Sequence, residues 1–322
     1  MQDGITALPK IIYKKGVFMK KYICIDVGGT SIKYGLLNED LNFITTDEMD
    51  TEAQKGGQNI LNKIIEIVNK YNSFYDDIDG VCISTAGMVD CEKGEIIYAS
   101  PIIPNYTGMK IKETIESKFN IKCEVENDVN CAALAEHFAG GAKGSKISVC
   151  LTIGTGIGGA IIINNEVYHG AFGSGGEVGY MNMIGSTFQE LGASSVLVKK
   201  VAKLKNVNHE TINGKYIFEK AKEGDLDCIK AIDEMIEVLG QGIANICYII
   251  NPEVVVLGGG IMGQKEYLYD KIRDSIDRNL IPFIANKTKL EFAVNQNKAG
   301  MLGAYFNFIN MQKRKVKDVV PY

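Results

Sequence analysis

Three glycine-rich turns, each set directly behind an apolar run, constrain this chain more than any other feature: Asp26-Val27-Gly28-Gly29-Thr30, Thr152-Ile153-Gly154-Thr155-Gly156-Ile157-Gly158-Gly159 and Leu257-Gly258-Gly259-Gly260. Glycine has no Cβ, so its backbone N–H can come close to a phosphate oxygen. One such turn is explained by a tight hairpin. Three of them, each beside a strand-like run, point to a nucleotide. Asp26, next to the first turn, is a candidate to orient a hydrated Mg²⁺, which takes one or two carboxylates together with waters and phosphate oxygens.

The class of nucleotide site follows from context. Gly154 to Gly159 and Gly258 to Gly263 both satisfy Gly-x-Gly-x-x-Gly, the dinucleotide fingerprint. The first is followed by Ala160-Ile161-Ile162-Ile163, which continues as a strand where a helix should open. The second has a strand before it and a helix after it, but its acidic partner would be Asp277, inside the helical run 271–280 and not at a strand end. No Gly-x-x-x-x-Gly-Lys-Ser/Thr stretch is present. A dehydrogenase and a P-loop enzyme are therefore both disfavoured.

The pattern around these turns is that of an α/β protein. From Tyr22 it reads strand, Gly-Gly turn, strand, then a third extended run at 41–49, together an antiparallel meander. A helix is expected over 57–71, where Ile60, Ile64, Ile67 and Val68 share a face. A buried strand at 78–84, a helix at 110–119 and a strand at 121–126 continue the alternation. After a helix at 128–139 the opening theme recurs, with strands at 148–153 and 159–163 around the second glycine turn. Further helices are expected at 190–203, 225–250 and 301–311, and a strand at 253–257. The recurrence puts a domain division near 126–128. Residues 1–18 lack periodicity, and Met19-Lys20-Lys21 reads as a natural start, so this segment is expected to be a poorly ordered extension or leader.

Composition excludes several classes. At 322 residues the chain is long enough for two domains, and 46% hydrophobic with 23% charged residues is ordinary for a globular protein. A net charge of -4 leaves no electrostatic footprint for nucleic acid, and Lys313, Arg314, Lys315 and Lys317 read as a solvated end. No apolar stretch approaches the roughly 18 residues of a membrane span, and no secretory signal is evident. A cytoplasmic protein without membrane partners is expected. The eight cysteines include no Cys-x-x-Cys pair and read as reduced, buried thiols. His137, His169 and His209 have no metal-ligand spacing and are assigned structural or solvent roles.

Glu126-Asn127-Asp128-Val129-Asn130 ends a strand and starts a helix, where a side chain can project into a cleft. Asp128 serves there either as the helix cap or as an acid–base group. Asn127 beside it offers an amide donor and acceptor, and a carboxylate–amide pair suits a sugar hydroxyl that must also lose its proton. A second polar cluster, Gly175-Gly176-Glu177-Val178-Gly179-Tyr180, follows the second hairpin, with Glu190 beyond it.

Asp26-x-Gly28-Gly29-Thr30, Glu126-Asn127-Asp128-Val129-Asn130-Cys131-Ala132-Ala133, Gly154-Thr155-Gly156-Ile157-Gly158-Gly159, Gly176-Glu177-Val178-Gly179 and Gly258-Gly259-Gly260 together resemble the ROK family, in the right order from about Met19 to the C-terminus. The resemblance implies an actin-like, ribonuclease H-like ATPase fold with its active site in an interdomain cleft. It implies a small N-terminal domain of 19–126 plus 299–322, with the last helix packed back on it, and a larger domain of 127–298. It further implies an ATP- and Mg²⁺-dependent hexose kinase in which Asp128 takes the proton of the 6-hydroxyl. On that resemblance Asn105, Asn127, Glu177 and Glu190 contact sugar hydroxyls. Gly28, Gly29, Thr30, Thr155 and Gly156 cradle phosphates, and Gly258, Gly259 and Gly260 lie along the adenosine. Homodimers are common among the proteins it resembles, although no interface is identified in the sequence.

One departure matters. Family members commonly carry His after Gly-Glu-x-Gly and then a Cys-x-Cys-Gly-x-x-Gly-Cys-x-Glu zinc motif. Here the His position is Tyr180, which falls at the substrate, and residues 181–189 contain no cysteine, so no structural zinc is expected. N-acetylmannosamine and β-glucosides are the expected sugars, with glucose a third. Two rivals are a sugar-responsive transcriptional regulator, which would need a helix-turn-helix of several dozen residues ahead of Tyr22, and a non-catalytic sugar-binding protein, against which the intact Asp128 argues.

Overall fold

The computed structural model describes residues 19–319. The extension expected at 1–18 and the last three residues lie outside them. The first half opens with the meander β1 (Lys21–Val27), β2 (Ser31–Asn38) and β3 (Phe43–Asp50), then α1 (Gly57–Phe74), β4 (Ile78–Thr85), the hairpin β5 (Met88–Asp90) and β6 (Glu95–Tyr98), α2 (Ile111–Phe119) and β7 (Cys123–Asn127). Its sheet has the order β3-β2-β1-β4-β7, antiparallel through the meander and parallel from β1 onward.

The second half repeats this order. After α3 (Asp128–Ala139) comes the meander β8 (Ile147–Ile153), β9 (Ile157–Ile163) and β10 (Glu166–Val167), followed by a small hairpin, β11 (Asn182–Met183) and β12 (Ser186–Thr187). The helices α4 (Phe188–Gly192), α5 (Ser194–Lys205), α6 (Gly214–Lys222) and α7 (Leu226–Ile250) lead to β13 (Val254–Gly258). The chain continues through α8 (Lys265–Asn279), α9 (Pro282–Ala285), β14 (Lys289–Phe292) and α10 (Ala299–Val319). The second sheet runs β10-β9-β8-β13-β14, with β13 parallel to both β8 and β14. The duplication expected from the glycine turns is thus a duplication of whole sheets.

Each sheet buries an outer face under its own helices: Ile23, Ile25 and Val81 beneath α1 and α2 in the first half, Val149, Leu151 and Val255 beneath α5 to α8 in the second. The inner faces share the pair α3 and α10. Tyr22, Cys24 and Cys82 of the first sheet pack on Cys131 of α3 and on Met301, Tyr305 and Phe308 of α10. Cys150, Ala160 and Val256 of the second sheet pack on Ala133 and Leu134 of α3. The two helices cross so closely that a Cβ at Gly303 would overlap the backbone of Cys131, so only glycine fits there. The last helix therefore lies on β1, β4 and β7 of the first sheet, and among the described residues no helix is long and apolar enough to cross a membrane.

One expected element is corrected. The single helix at 190–203 is two helices, broken at Ala193, which is extended (φ −69°, ψ 153°). The break re-aims Ser194 and Ser195 so that their hydroxyls donate to the carbonyls of Ile153 and Thr155, tying α5 to the second glycine turn. All eight cysteines are buried and free, as expected for reduced thiols.

Candidate active site

Asp128 is the first residue of α3, directly after the edge strand β7, but it does not cap the helix. Asn127 does, its Oδ1 accepting from the N–H groups of Val129 (2.9 Å) and Asn130 (3.1 Å). Asn127 Nδ2 donates to Gly87 O (2.9 Å) and to Asp128 Oδ1 (3.0 Å). The amide is thus fully engaged in capping the helix and orienting the carboxylate, and its expected contact to a sugar hydroxyl would require one of these bonds to be exchanged. Burial, and then repulsion from Asp26, push the Asp128 carboxyl up to about 6, against the lowering effect of the bonds from Val129 and Asn127.

Asp26 lies near the end of β1, where Ser84 Oγ from β4 donates to its Oδ1 (2.7 Å). Its carboxyl is also raised by burial, partly offset by the Ser84 bond and the Lys33 charge. The N-terminus of α10 comes up against the same carboxylate: a Cβ at Gly300 would overlap it. Neither Ser84 nor Gly300 was singled out from sequence. The Gly-Thr-Gly and Asp-x-Gly-Gly motifs announce themselves by composition, whereas a lone glycine near the start of the last helix carries no such signal.

The other expected residues fall around this pair. Gly28 N–H closes the first turn onto Ser31 O (3.0 Å), leaving Gly29 and Thr30 exposed. Asn105 is exposed in a left-handed conformation (φ 54°), just before Tyr106, whose buried hydroxyl contacts Thr85 Oγ1 at 2.5 Å. The Tyr106 hydroxyl is pushed up to about 12, chiefly by burial, with a further contribution from the charge of Asp128. The Gly176–Gly179 segment packs on β9, and desolvation raises the Glu177 carboxyl above its ordinary range. Tyr180 is exposed. Glu190 Oε2 belongs to the capping box of α4, accepting from Ser186 Oγ and from Thr187 Oγ1 (2.9 Å), and these bonds hold its carboxyl below the usual range.

A cleft of about 560 Å³ opens between the second glycine turn and the third. Gly154, Thr155 and Ser195 form one side of it, Gly260 and Gln264 another, and Lys215 with Phe218 from α6 the end. Gly260 lines it; Gly258 is the buried end of β13, and Gly259 supports the turn behind. Lys215, Phe218 and Gln264 carry no sequence motif: the first two lie on the short helix α6 and Gln264 just ahead of α8. No side chain stands over the backbone at Gly29, Gly154 or Gly260, where an added Cβ would meet nothing within 4 Å. This open backbone leaves room for phosphates, and Asp26, just ahead of the first turn, is a carboxylate that fits a hydrated magnesium ion.

Residues 22–310 match the ROK family. The chain belongs to that family. It is 49% identical to an uncharacterised protein of Clostridium perfringens over 90% of this chain and 98% of that one. It is 29% identical to a β-glucoside kinase of Listeria monocytogenes, over 91% and 99%. Among solved structures, a ROK family glucokinase from Streptomyces griseus in complex with glucose and AMPPNP superimposes with a TM-score of 0.74 at 27% identity, over 88% of this chain and 97% of that one. The architecture of the two sheets is accordingly the actin-like ATPase fold, and both the Listeria monocytogenes and the Streptomyces griseus proteins are sugar kinases.

Proposed function

We propose that this ROK protein is an ATP-dependent hexose kinase that phosphorylates the 6-hydroxyl of a sugar, with Asp128 as the general base. The observation that carries the reading is the division of labour at the start of α3: Asn127 caps the helix, and Asp128, freed from that task, keeps one carboxylate oxygen outside the hydrogen bonds of the described residues. A carboxylate raised to about 6 is still mostly ionised at pH 7 and is a better base than an ordinary aspartate.

In this reading residues 19–126 with α10 form one lobe and 127–298 the other, and the sugar lies between them. Asn105 and Glu177 bind its hydroxyls, with Tyr180 and Glu190 at the rim, Glu190 through its second oxygen. Thr30, Thr155, Gly156 and the open backbone at Gly29, Gly154 and Gly260 hold the nucleotide, Gly28 closes the first turn behind it, and Ser195 fixes the turn that presents Thr155. Magnesium held through Asp26 would neutralise phosphate charge as the γ-phosphoryl group moves. Asp128 accepts the proton of the attacking hydroxyl, and Asn127 keeps it aimed. N-acetylmannosamine and β-glucosides are the proposed substrates, ahead of glucose.

ADP release with Mg-ATP against glucose, N-acetylglucosamine, N-acetylmannosamine and cellobiose tests this, with Asp128→Asn alongside. Turnover on one sugar, reduced by about 10² to 10⁴ in the variant, is expected. A failure of every sugar to stimulate ADP release would refute the kinase reading.

A further inference from the structure

Outside the proposed kinase site, Cys91, Glu126 and His169 bring three donor atoms of different chemistry to one point. Cys91 follows β5, Glu126 belongs to β7, and His169 follows β10 in the second half of the chain. Cys91 Sγ is 3.1 Å from Glu126 Oε2 and 3.3 Å from His169 Nε2, and His169 Nε2 is 2.8 Å from Glu126 Oε2. Among the described residues this is the group of three His, Cys, Asp or Glu donors close enough to share an ion.

We propose that these three residues form a binding site for one divalent transition metal ion of the zinc class. With ordinary zinc bond lengths to sulfur, nitrogen and oxygen, one face of a tetrahedral site has donor–donor edges of about 3.4 to 3.6 Å. The existing triangle needs to open by only about half an ångström to reach that size. Its mixed sulfur, nitrogen and oxygen donors select a borderline-soft cation over magnesium or calcium, which take oxygen. Thiolate and carboxylate together balance a charge of two, which suits a place where Cys91 is buried and Glu126 has no solvent exposure. Loading the ion releases the Cys91 thiol proton to solvent.

The carboxylate is already held for this role. Glu126 Oε1 accepts from Asn127 N–H (2.7 Å) and Asn130 Nδ2 (2.9 Å), leaving Oε2 for the site. Such outer contacts orient a metal-binding carboxylate. His169, the least buried of the three, provides the way in, and the fourth position is left for water. No spacing rule reaches this trio, whose members are separated by 35 and 43 residues. An ion there ties the β5–β6 hairpin, β7 and the segment leading to Glu177 together, one residue from Asn127.

The test uses the full-length protein, stripped with a chelator, reloaded with Co²⁺ or Zn²⁺ and desalted. Elemental analysis should find one equivalent per chain. The cobalt form should show thiolate-to-cobalt charge-transfer absorption and the intense visible bands of a four-coordinate ion. Both should be lost in Cys91→Ala and His169→Gln, and chelation should lower the thermal midpoint of the wild type but not of the variants. Substoichiometric metal after reloading, a cobalt spectrum without the thiolate band, or stoichiometric binding that survives Cys91→Ala would each overturn the proposal. Cys91→Ser, nearly isosteric, replaces Cys91→Ala if the latter fails to fold. The wild-type spectrum needs no variant, and neither readout depends on sugar phosphorylation, so loss of one reading leaves the other testable.

Discussion

Asp128→Asn should stabilise the ligand-free protein at neutral pH while removing its activity. The raised carboxyl is the reason. A shift from 3.8 to about 6 means that the native site disfavours the charged form by about 3 kcal/mol. The folded pKa lies above the unfolded one, so Asp128 costs nothing while both states are protonated, below about pH 4, and its cost grows as pH rises, reaching its full value above about pH 6. Asparagine has no charge to bury, and its carbonyl can still accept from Val129 N–H and Asn127 Nδ2, the bonds Oδ1 makes now. The stability advantage of the variant therefore widens with pH, and of the total about 1.5 kcal/mol falls between pH 5 and pH 7.5.

Because the chain has no tryptophan, urea unfolding followed by far-ultraviolet circular dichroism at those two pH values, without nucleotide, is the suitable assay. The same preparation should show turnover reduced by about 10² to 10⁴, the usual contribution of a positioned base. An advantage that is equal at pH 5 and pH 7.5 would mean that Asp128 is an ordinary carboxylate. Activity within tenfold of the wild type would mean that it is not the base.

Substitutions at three other places separate site from scaffold. Gly300→Ala drives a methyl group into the Asp26 carboxylate, so turnover should fall by about 10²-fold with a stability loss of about 1 to 3 kcal/mol; unchanged kinetics would show that Asp26 need not be held where it is. Glu124 is fully buried between Lys112 Nζ (2.6 Å) and Lys315 Nζ (2.5 Å), so Glu124→Ala strands a buried ammonium and should cost about 3 to 5 kcal/mol in chemical denaturation. Adding Lys112→Met to Glu124→Leu should recover most of that loss, with turnover per folded molecule unchanged throughout. Glu136 accepts from Val294 N (3.0 Å), Asn295 N (2.8 Å) and Gly141 N (2.9 Å), joining α3 to the loop ahead of α10. Glu136→Ala should cost about 1 to 3 kcal/mol for each amide left unpaired and accelerate hydrogen exchange at residues 294 and 295.

The fold was legible wherever periodicity was strong. The β1–β2–β3 meander, the helix at 128–139 and the long helix ending at residue 250 fall within a residue or two of their expected limits. What escaped was short or half polar: β14 is four residues, Lys289–Phe292, and α6 is a nine-residue helix whose buried face is only Ile217, Phe218 and Ala221. The site shows the same division. Motif residues were visible because glycines and carboxylates cluster in sequence, but Ser84 and Gly300 serve Asp26 from elements 58 and 274 residues away, and only folding brings them there. The residues alone leave Asp128 either the helix cap or an acid–base group, because Asp and Asn both cap well. The hydrogen bonds assign the cap: Asn127 Oδ1 takes the N–H groups of both Val129 and Asn130.

The crossing of α3 and α10 also explains how two carboxylates are tolerated so close together. The charge of Asp26 raises the Asp128 carboxyl, and burial raises both. Burial with repulsion alone would favour protonating one of them near neutral pH. Against this, α3 begins at Asp128 and α10 begins beside Asp26, so the positive ends of two helices meet the two negative charges. That meeting requires both helices to start at the same point between the sheets, which is what the close approach of Gly303 to Cys131 permits. A bulkier residue at position 303 should therefore spread the helices and raise the Asp128 carboxyl further, weakening the base from a distance without touching it; a carbon-13 titration of the aspartate carboxyls in Gly303→Ala that left Asp128 at its wild-type midpoint would show that the helix ends do not carry this burden.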